Sequence, residues 1–185
     1  MIQPLIAIRP ATPEDLPALF AYLGEQLAEN GRDGVLFQPM APTMDGVPLA
    51  MRERFTAGMA ARVGQPGWRQ VWIALDEGGA VAGHIDLRGR PEPSSGHRTL
   101  LGMGVRHDLR GAGLGTRLVR EALAWARAAG FAWVDLEVLA QNHKARALYV
   151  RCGFIETGEV PDLYRVDGVP VGAVSMSLPL QDGRL

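Results

Sequence analysis

Residues 99–120 read TLLGMGVRHDLRGAGLGTRLVR. An apolar strand candidate, 99–105, ends where an arginine-bearing loop begins. Gly111, Gly113 and Gly115 then open a helix over about 113–129, which Gly130 stops. Glycines at a strand-to-helix junction let backbone N–H groups approach an anion with no Cβ in the way. The positive end of the helix dipole favours a phosphate at the same place. Arg110 adds a guanidinium able to make paired bonds to phosphate oxygens. The segment reads as a pyrophosphate cradle.

Three kinds of cradle share such glycines. A P-loop sets a Lys and then Ser or Thr after its last glycine, whereas Thr116 and Arg117 follow Gly115 here. A dinucleotide turn sets G-x-G-x-x-G straight after its strand, with an acid about 20 residues further on. Gly111, Gly113 and Thr116 approximate it, and Asp135 stands at a fitting distance. Yet five residues, Arg106 to Arg110, separate strand from glycines, and the third glycine is missing. The pattern that fits is R-x-x-G-x-G, as Arg110, Gly113 and Gly115.

Outward from this loop the chain divides into short elements. Residues 5–9 are a strand candidate. Thr12 reads as an N-cap with Pro13 behind it, and Leu16, Leu19, Phe20, Leu23 and Leu27 recur at helical spacing over 13–30. The stretch 31–48 is loop and 49–63 is helical. Strands over 71–75 and 80–87 join through Gly78-Gly79 as a hairpin, and 88–97 is an exposed loop. Strand 133–139 and helix 142–151 follow, closed by Gly153. Strands over 154–160 and 173–178 are separated by a turn-rich 161–172. Hairpins at both ends with a βαβ-like crossing in the middle predict a mixed α/β sheet rather than a uniformly parallel one.

A second segment, WVDLEVLAQNHKARALYVRCGF at 133–154, carries a longer string. L-E-V-x-x-x-N-x-x-A-x-x-L-Y-x-x-x-G-F runs from Leu136 to Phe154, through Asn142, Ala145, Tyr149 and Gly153. Together with R-x-x-G-x-G this resembles the GNAT (GCN5-related) N-acetyltransferases. The two motifs stand in that family's order and spacing.

The resemblance implies the GNAT fold: a mostly antiparallel sheet of about seven strands, splayed at its centre, with helices on both faces. The splayed pair would be 99–105 and 133–139, admitting the pantetheine arm of acetyl-CoA, the acyl donor, with no metal. Met103, Gly104 and Val105 would meet that arm, with a backbone N–H near Val105 polarising the thioester carbonyl. Arg110, Gly111, Ala112, Gly113, Leu114, Gly115 and Thr116 would hold the pyrophosphate. Asn142 matches the family's cofactor-contacting Asn and equally suits a helix N-cap. A homodimer, common in the family, is allowed.

An amine must lose a proton before it attacks, because at a pKa near 10.4 few molecules are nucleophilic at neutral pH. Glu137, two residues after Asp135 on one face of its strand, is the first candidate base, and it matches the Glu that serves the family's ribosomal-protein acetyltransferases. His84 and Asp86 are the reserves, or a water. Tyr149 matches the Tyr that protonates the leaving thiolate in many members; its bland alternative is a ring filling the sheet–helix interface. Cys152, at a helix C-terminus, reads as a small buried hydrophobe. Arg106, Lys144 and Arg146 are candidates for a nucleotide 3′-phosphate, although each suits an ordinary solvated charge.

Composition bounds these readings. A chain of 185 residues, 47% apolar and 21% charged, suits a single domain over 1–185. A formal net charge of −1 offers no footprint for nucleic acid or an anionic membrane. One cysteine allows no internal disulfide, and His84, His97, His107 and His143 show no metal-ligand spacing with it. With no signal-peptide layout in MIQPLIAIRP, the expectation is a cytoplasmic enzyme. It would acetylate a small-molecule amine such as an amino acid or polyamine, by direct attack in a ternary complex. Its rivals are a protein or peptide N-terminal acetyltransferase and a non-catalytic acyl-CoA-binding module.

Overall fold

The computed structural model describes residues 6–32 and 34–180. Seven strands form one sheet: β1 (Ala7–Pro10), β2 (Arg69–Leu75), β3 (Val81–Gly89), β4 (Arg98–Val105), β5 (Trp133–Leu139), β6 (Ile155–Val166) and β7 (Val169–Pro179), in the order β1-β2-β3-β4-β5-β7-β6. Four α-helices join them: α1 (Leu16–Ala28), α2 (Leu49–Ala60), α3 (Leu114–Ala128) and α4 (His143–Arg151). Every ladder is antiparallel except β4–β5. The first strand candidate begins at Ala7; Leu5 lies outside the described residues.

Helices cover both faces. Leu114, Leu118, Val119, Ala122 and Ala126 of α3 bury one stripe against Ile85, Leu87, Leu101, Val134 and Leu136. Each fully buried Leu, Val or Ile among them contributes about 1.5–3 kcal/mol. Trp68, Trp72, Trp125 and Phe131 close the same layer. On the opposite face Leu19, Tyr22 and Leu23 of α1 and Phe55 of α2 pack on Val71 and Ile73. Local signals end the helices: Gly130 and Gly153 take φ of 81° and 97°, and the amides of Phe131 and Phe154 reach back to Ala126 and Tyr149.

The stretch 161–172 is not turn-rich loop. β6 and β7 run through it as a long hairpin that closes at Asp167-Gly168, with φ of 50° and 80°. Pro161 and Gly158 fall at irregularities in the β6 register, where an edge strand can lose a donor or bulge outwards. Proline and glycine density in that stretch therefore marks a bulged edge. The loop after β3 is likewise shorter than expected, because β3 continues to Gly89.

The parallel β4–β5 ladder decides the shape of the centre. It joins Arg98 to Trp133, Thr99 to Val134 and Leu100 to Asp135, and goes no further. Beyond it β4 stays paired with β3 up to Val105, and β5 stays paired with β7 up to Leu139. A wedge therefore opens between Leu101–Val105 and Leu136–Leu139.

A charged clasp holds the closed end of the wedge. Asp135 is buried and accepts from Arg98 Nε at 2.8 Å, Arg90 Nε at 3.1 Å and the Ser177 hydroxyl at 2.7 Å. Burial pushes its pKa up, but the bonds from Arg98 and Ser177 outweigh this and hold it below the ordinary carboxylate value. A lowered folded pKa gives stability that is present above the unfolded value near 4 and is lost as pH falls below it. Asp135→Asn should cost about 2 kcal/mol at neutral pH, since the arginines remain partly solvated. Thermal unfolding from pH 7 down to pH 3 should show the wild-type advantage shrinking towards the acid end.

Candidate active site

The glycine loop occupies the mouth of the wedge. Gly111 and Gly113 have φ of 79° and 86°, and nothing lies within 4 Å of where a Cβ would stand on either. Arg117 N donates to Gly113 O, so α3 starts at Leu114. The amides of Leu114, Gly115 and Thr116 therefore have no acceptor within the helix. Gly115 answers a different constraint. A Cβ there would come within 2.7 Å of Leu148 Cδ1 and 3.2 Å of Met103 Cε, so only glycine lets α3 sit this close to β4 and α4.

Arg110 turns back from the loop. Its Nε donates to Val105 O at 2.9 Å, Nη2 donates to Gln26 Oε1 at 3.2 Å, and the guanidinium lies 5.5 Å from the Phe37 ring. It thus ties the exit of β4 to α1. Ala112 lies between the two left-handed glycines. Asn142 caps α4, its Oδ1 accepting from the amide of Ala145. Arg106 bridges Asp76 and Asp108, and Arg146 pairs with Glu156.

β4 sends Met103 and Val105 towards α3 and α4, and Gly102 and Gly104 towards α1 and α2. A Cβ on Gly104 would stand 2.9 Å from the Tyr22 hydroxyl and 3.2 Å from His84 Cε1. His84 is enclosed by the Tyr22 and Phe55 rings, and burial lowers its pKa to about 4, leaving the imidazole neutral at physiological pH. Among the described residues, His84 Nδ1 and the Tyr22 hydroxyl are buried without a hydrogen-bond partner. Both oxygens of Asp86 are engaged, one by Arg69 at 3.2 Å and the other by Arg88 at 3.1 Å. With both oxygens taken and the side chain buried, Asp86 is not open to an acceptor.

Glu137 differs from both. It is exposed on the α1–α2 face of β5, beside the wedge, and accepts from the Tyr164 hydroxyl at 2.5 Å. That bond, with some burial, pushes the Tyr164 pKa up to about 12 and keeps the phenol a donor. Glu137 also lines a cavity of about 630 Å³ with Arg90, Leu100, Asp135, Thr157 and Ser175. No motif names Tyr164: it stands 27 residues from Glu137 on the hairpin that the sequence reads as turns.

Tyr149 projects from α4 into the core, buried with its ring against Phe154 at 5.7 Å. Burial first, then the nearby Cys152 and Asp86, raise its pKa above the ordinary phenol value, so the hydroxyl keeps its proton. Burial also raises the Cys152 thiol, which fits an inert role. No helix of the described residues is long and apolar enough to cross a membrane.

Open backbone edges beside an anion-ready helix start are the layout of an acyl-CoA acyltransferase, and comparison with known proteins agrees. The model of the acetyltransferase (GNAT) family matches residues 46–154. The chain belongs to that family, and its fold is that of the acetyl-CoA-dependent N-acetyltransferases. Rat N-acetyltransferase 8B is 33% identical over 112 residues, 58% of this chain and 50% of that protein. The chain thus matches about half the length of this relative. Ribosomal-protein-alanine N-acetyltransferase from Brucella melitensis is 27% identical, with a TM-score of 0.76 over 94% of this chain and 99% of that one. A phosphinothricin acetyltransferase from Sinorhizobium meliloti, solved with acetyl-CoA, superposes with a TM-score of 0.79 at 21% identity, over 96% and 90% of the two chains.

The two outer glycines can be separated from the packing glycine by experiment. Gly113→Ala meets open space and costs about 1–2 kcal/mol of left-handed strain alone. Gly113→Trp adds an indole over the loop amides and should raise the acetyl-CoA dissociation constant at least roughly tenfold, the equivalent of one charge-assisted bond. Calorimetric titration of the two variants should place the larger loss with Trp, at similar thermal stability.

Proposed function

We propose that this chain moves an acetyl group from acetyl-CoA to a primary amine of a small molecule, by direct attack in a ternary complex within one domain over 1–185. The observation that carries the reading is Glu137: an exposed carboxylate beside the open wedge, lining a cavity of about 630 Å³. That size suits a small acceptor.

The residues present fit the donor. Gly111 and Gly113 leave their Cβ positions open and the amides at the start of α3 have no acceptor within the helix, which suits a pyrophosphate. Val105 O and Leu139 O are taken by Arg110 Nε and the Asn142 amide, and the groups of Leu101–Val105 and Leu136–Leu139 that the ladder leaves unpaired suit the amides of a pantetheine arm, which can pair like an added strand. Met103, Gly104 and Val105 would line that arm, and Ala112, Leu114, Gly115, Thr116 and Asn142 would complete the cradle, with Arg110 holding the loop from behind through Val105 O and Gln26. Acetyl-CoA, when bound, supplies an activated acetyl thioester.

Glu137 takes the proton from the acceptor ammonium, directly or through water, while Tyr164 fixes the carboxylate by its hydrogen bond. The Tyr149 hydroxyl holds a proton for the departing sulfur. A thiol with a pKa of about 8.5 already leaves readily, so this help is modest. The reaction is assigned to the cytoplasm, supported by a lone cysteine that leaves the chain without an internal disulfide. A protein N-terminus as acceptor is the second reading, supported by the L-E-V glutamate and the similarity to the Brucella enzyme.

Thiol release from acetyl-CoA with a panel of amines tests the assignment. Glu137→Gln should lower kcat by roughly 10²–10⁴, the usual worth of a positioned base, with acetyl-CoA affinity intact. Tyr149→Phe should lower kcat by only about tenfold and leave the KM for acetyl-CoA unchanged, as expected when the leaving group is already good. Equal turnover in Tyr149→Phe would remove the acid role.

A further inference from the structure

Four guanidiniums stand on two buried carboxylates, and two of the four, Arg90 and Arg98, line the acceptor-side cavity. Asp86 takes Arg69 and Arg88; Asp135 takes Arg98 and Arg90. In each set one arginine is fixed from both sides. Arg69 lies 4.0 Å over the Phe55 ring and Arg98 4.5 Å over the Trp133 ring, with side chains only 12% and 25% exposed. The other member is looser: Arg88 is 36% exposed and Arg90 is 32% exposed.

The looser pair stands where an acceptor would enter. Arg88 and Arg90 are two residues apart, and Arg90 lines the cavity that Glu137 also lines. Arg88 faces Leu100 across the β3–β4 ladder, and Leu100 lines that cavity as well. A Cβ on Gly102 would lie 2.9 Å from Arg88 Nη1, so the bare strand gives this guanidinium room to lie over β4. Arg90 sets Nε and Nη2 on one oxygen of Asp135. A guanidinium has five N–H donors, so donors remain for a second anion. The cavity wall sets Arg90 and Arg98 against Asp135 and Glu137, and Asp135 is already taken by both arginines.

We propose, on the acetyltransferase reading above, that the acceptor is an amine that also carries a carboxylate, with Arg90, flanked by Arg88, holding that carboxylate while the amine faces Glu137. An α-amino acid has this chemistry. A polyamine would set further positive charges beside Arg90 and Arg98 and is disfavoured. A plain amine leaves the spare donors of Arg90 unused.

Equilibrium binding tests this without turnover. The purified protein, saturated with CoA, is titrated by calorimetry with the standard L-amino acids, with their α-amides and with spermidine. The expected result is at least one amino acid that binds roughly 10- to 100-fold tighter than its amide, the worth of a charged hydrogen bond. Arg90→Gln should erase that preference, and Arg90→Lys should restore part of it. Arg88→Gln is the second variant, should Arg90→Gln prove unstable, and should weaken the same preference. Thermal melts and acetyl-CoA titration of each variant report on folding and on the donor site. Tighter binding of spermidine or of amides, a preference indifferent to both arginines, or no amino acid bound by a protein that still binds acetyl-CoA would each overturn the proposal. The last result leaves the acetyltransferase reading standing, whereas loss of acetyl-CoA binding by the wild type would sink that reading instead.

Discussion

Two strands that pair for three residues and then part are the constraint on which this molecule turns. Separating paired strands exposes N–H and C=O groups that need water or another partner. The separation persists because both strands are fully committed elsewhere. β4 pairs with β3 through Val105, and β5 pairs with β7 through Leu139. The closed end is pinned by Asp135, whose oxygens reach β4 through Arg98 and β7 through Ser177. Closing the wedge would require sliding one half of the sheet against a core in which Leu118, Val134 and Met176 are completely buried.

The glycines divide into those that leave space and those that allow contact. Gly111 and Gly113 face nothing and adopt left-handed backbone, so their role is to bring amides to the surface of the loop. Gly102, Gly104 and Gly115 have ordinary backbone and crowded surroundings. A methyl group on any of them would come within 3 Å of Arg88, Tyr22 or Leu148 respectively. One residue type thus solves an access problem at the loop and a packing problem around it. The spacing R-x-x-G-x-G mixes the two, since Gly113 opens the loop and Gly115 seats the helix.

Features set by near neighbours in sequence were legible from it: the helical period of α1, the glycine stops, the Gly78-Gly79 hairpin and the order of the central elements. The long β6–β7 hairpin was not. Pro161, Gly158 and Gly168 carry the same local signal whether they interrupt a strand or bulge it, and only pairing with β7 distinguishes the cases. Partnerships across the sheet were also invisible. Asp86 is a reserve base by residue type, yet Arg69, 17 residues away, and Arg88 occupy it. His84 likewise has the right chemistry for a base, but Tyr22 and Phe55 wall it in from helices with no sequence relation to its strand.

Asp135 and Glu137 show most sharply what spacing alone leaves undecided. Two residues apart, they share a face of β5, and spacing alone does not tell a buried clasp from an open carboxylate. Their surroundings separate them. Asp135 stands at the last rung of the β4–β5 ladder, where Arg98, Arg90 and Ser177 converge, and its lone pairs are consumed in holding two strands together. Glu137 stands one pleat further on, where β4 has already departed, and the Tyr164 hydroxyl is the hydrogen-bond donor it meets. Asp135 is held below the ordinary carboxylate value by its bonds from Arg98 and Ser177, whereas Glu137 meets a phenol at the edge of a cavity. The point at which the ladder ends therefore sets the surroundings of each residue: the same bifurcation that opens the sheet turns one acid into a clasp and leaves its neighbour facing the cavity.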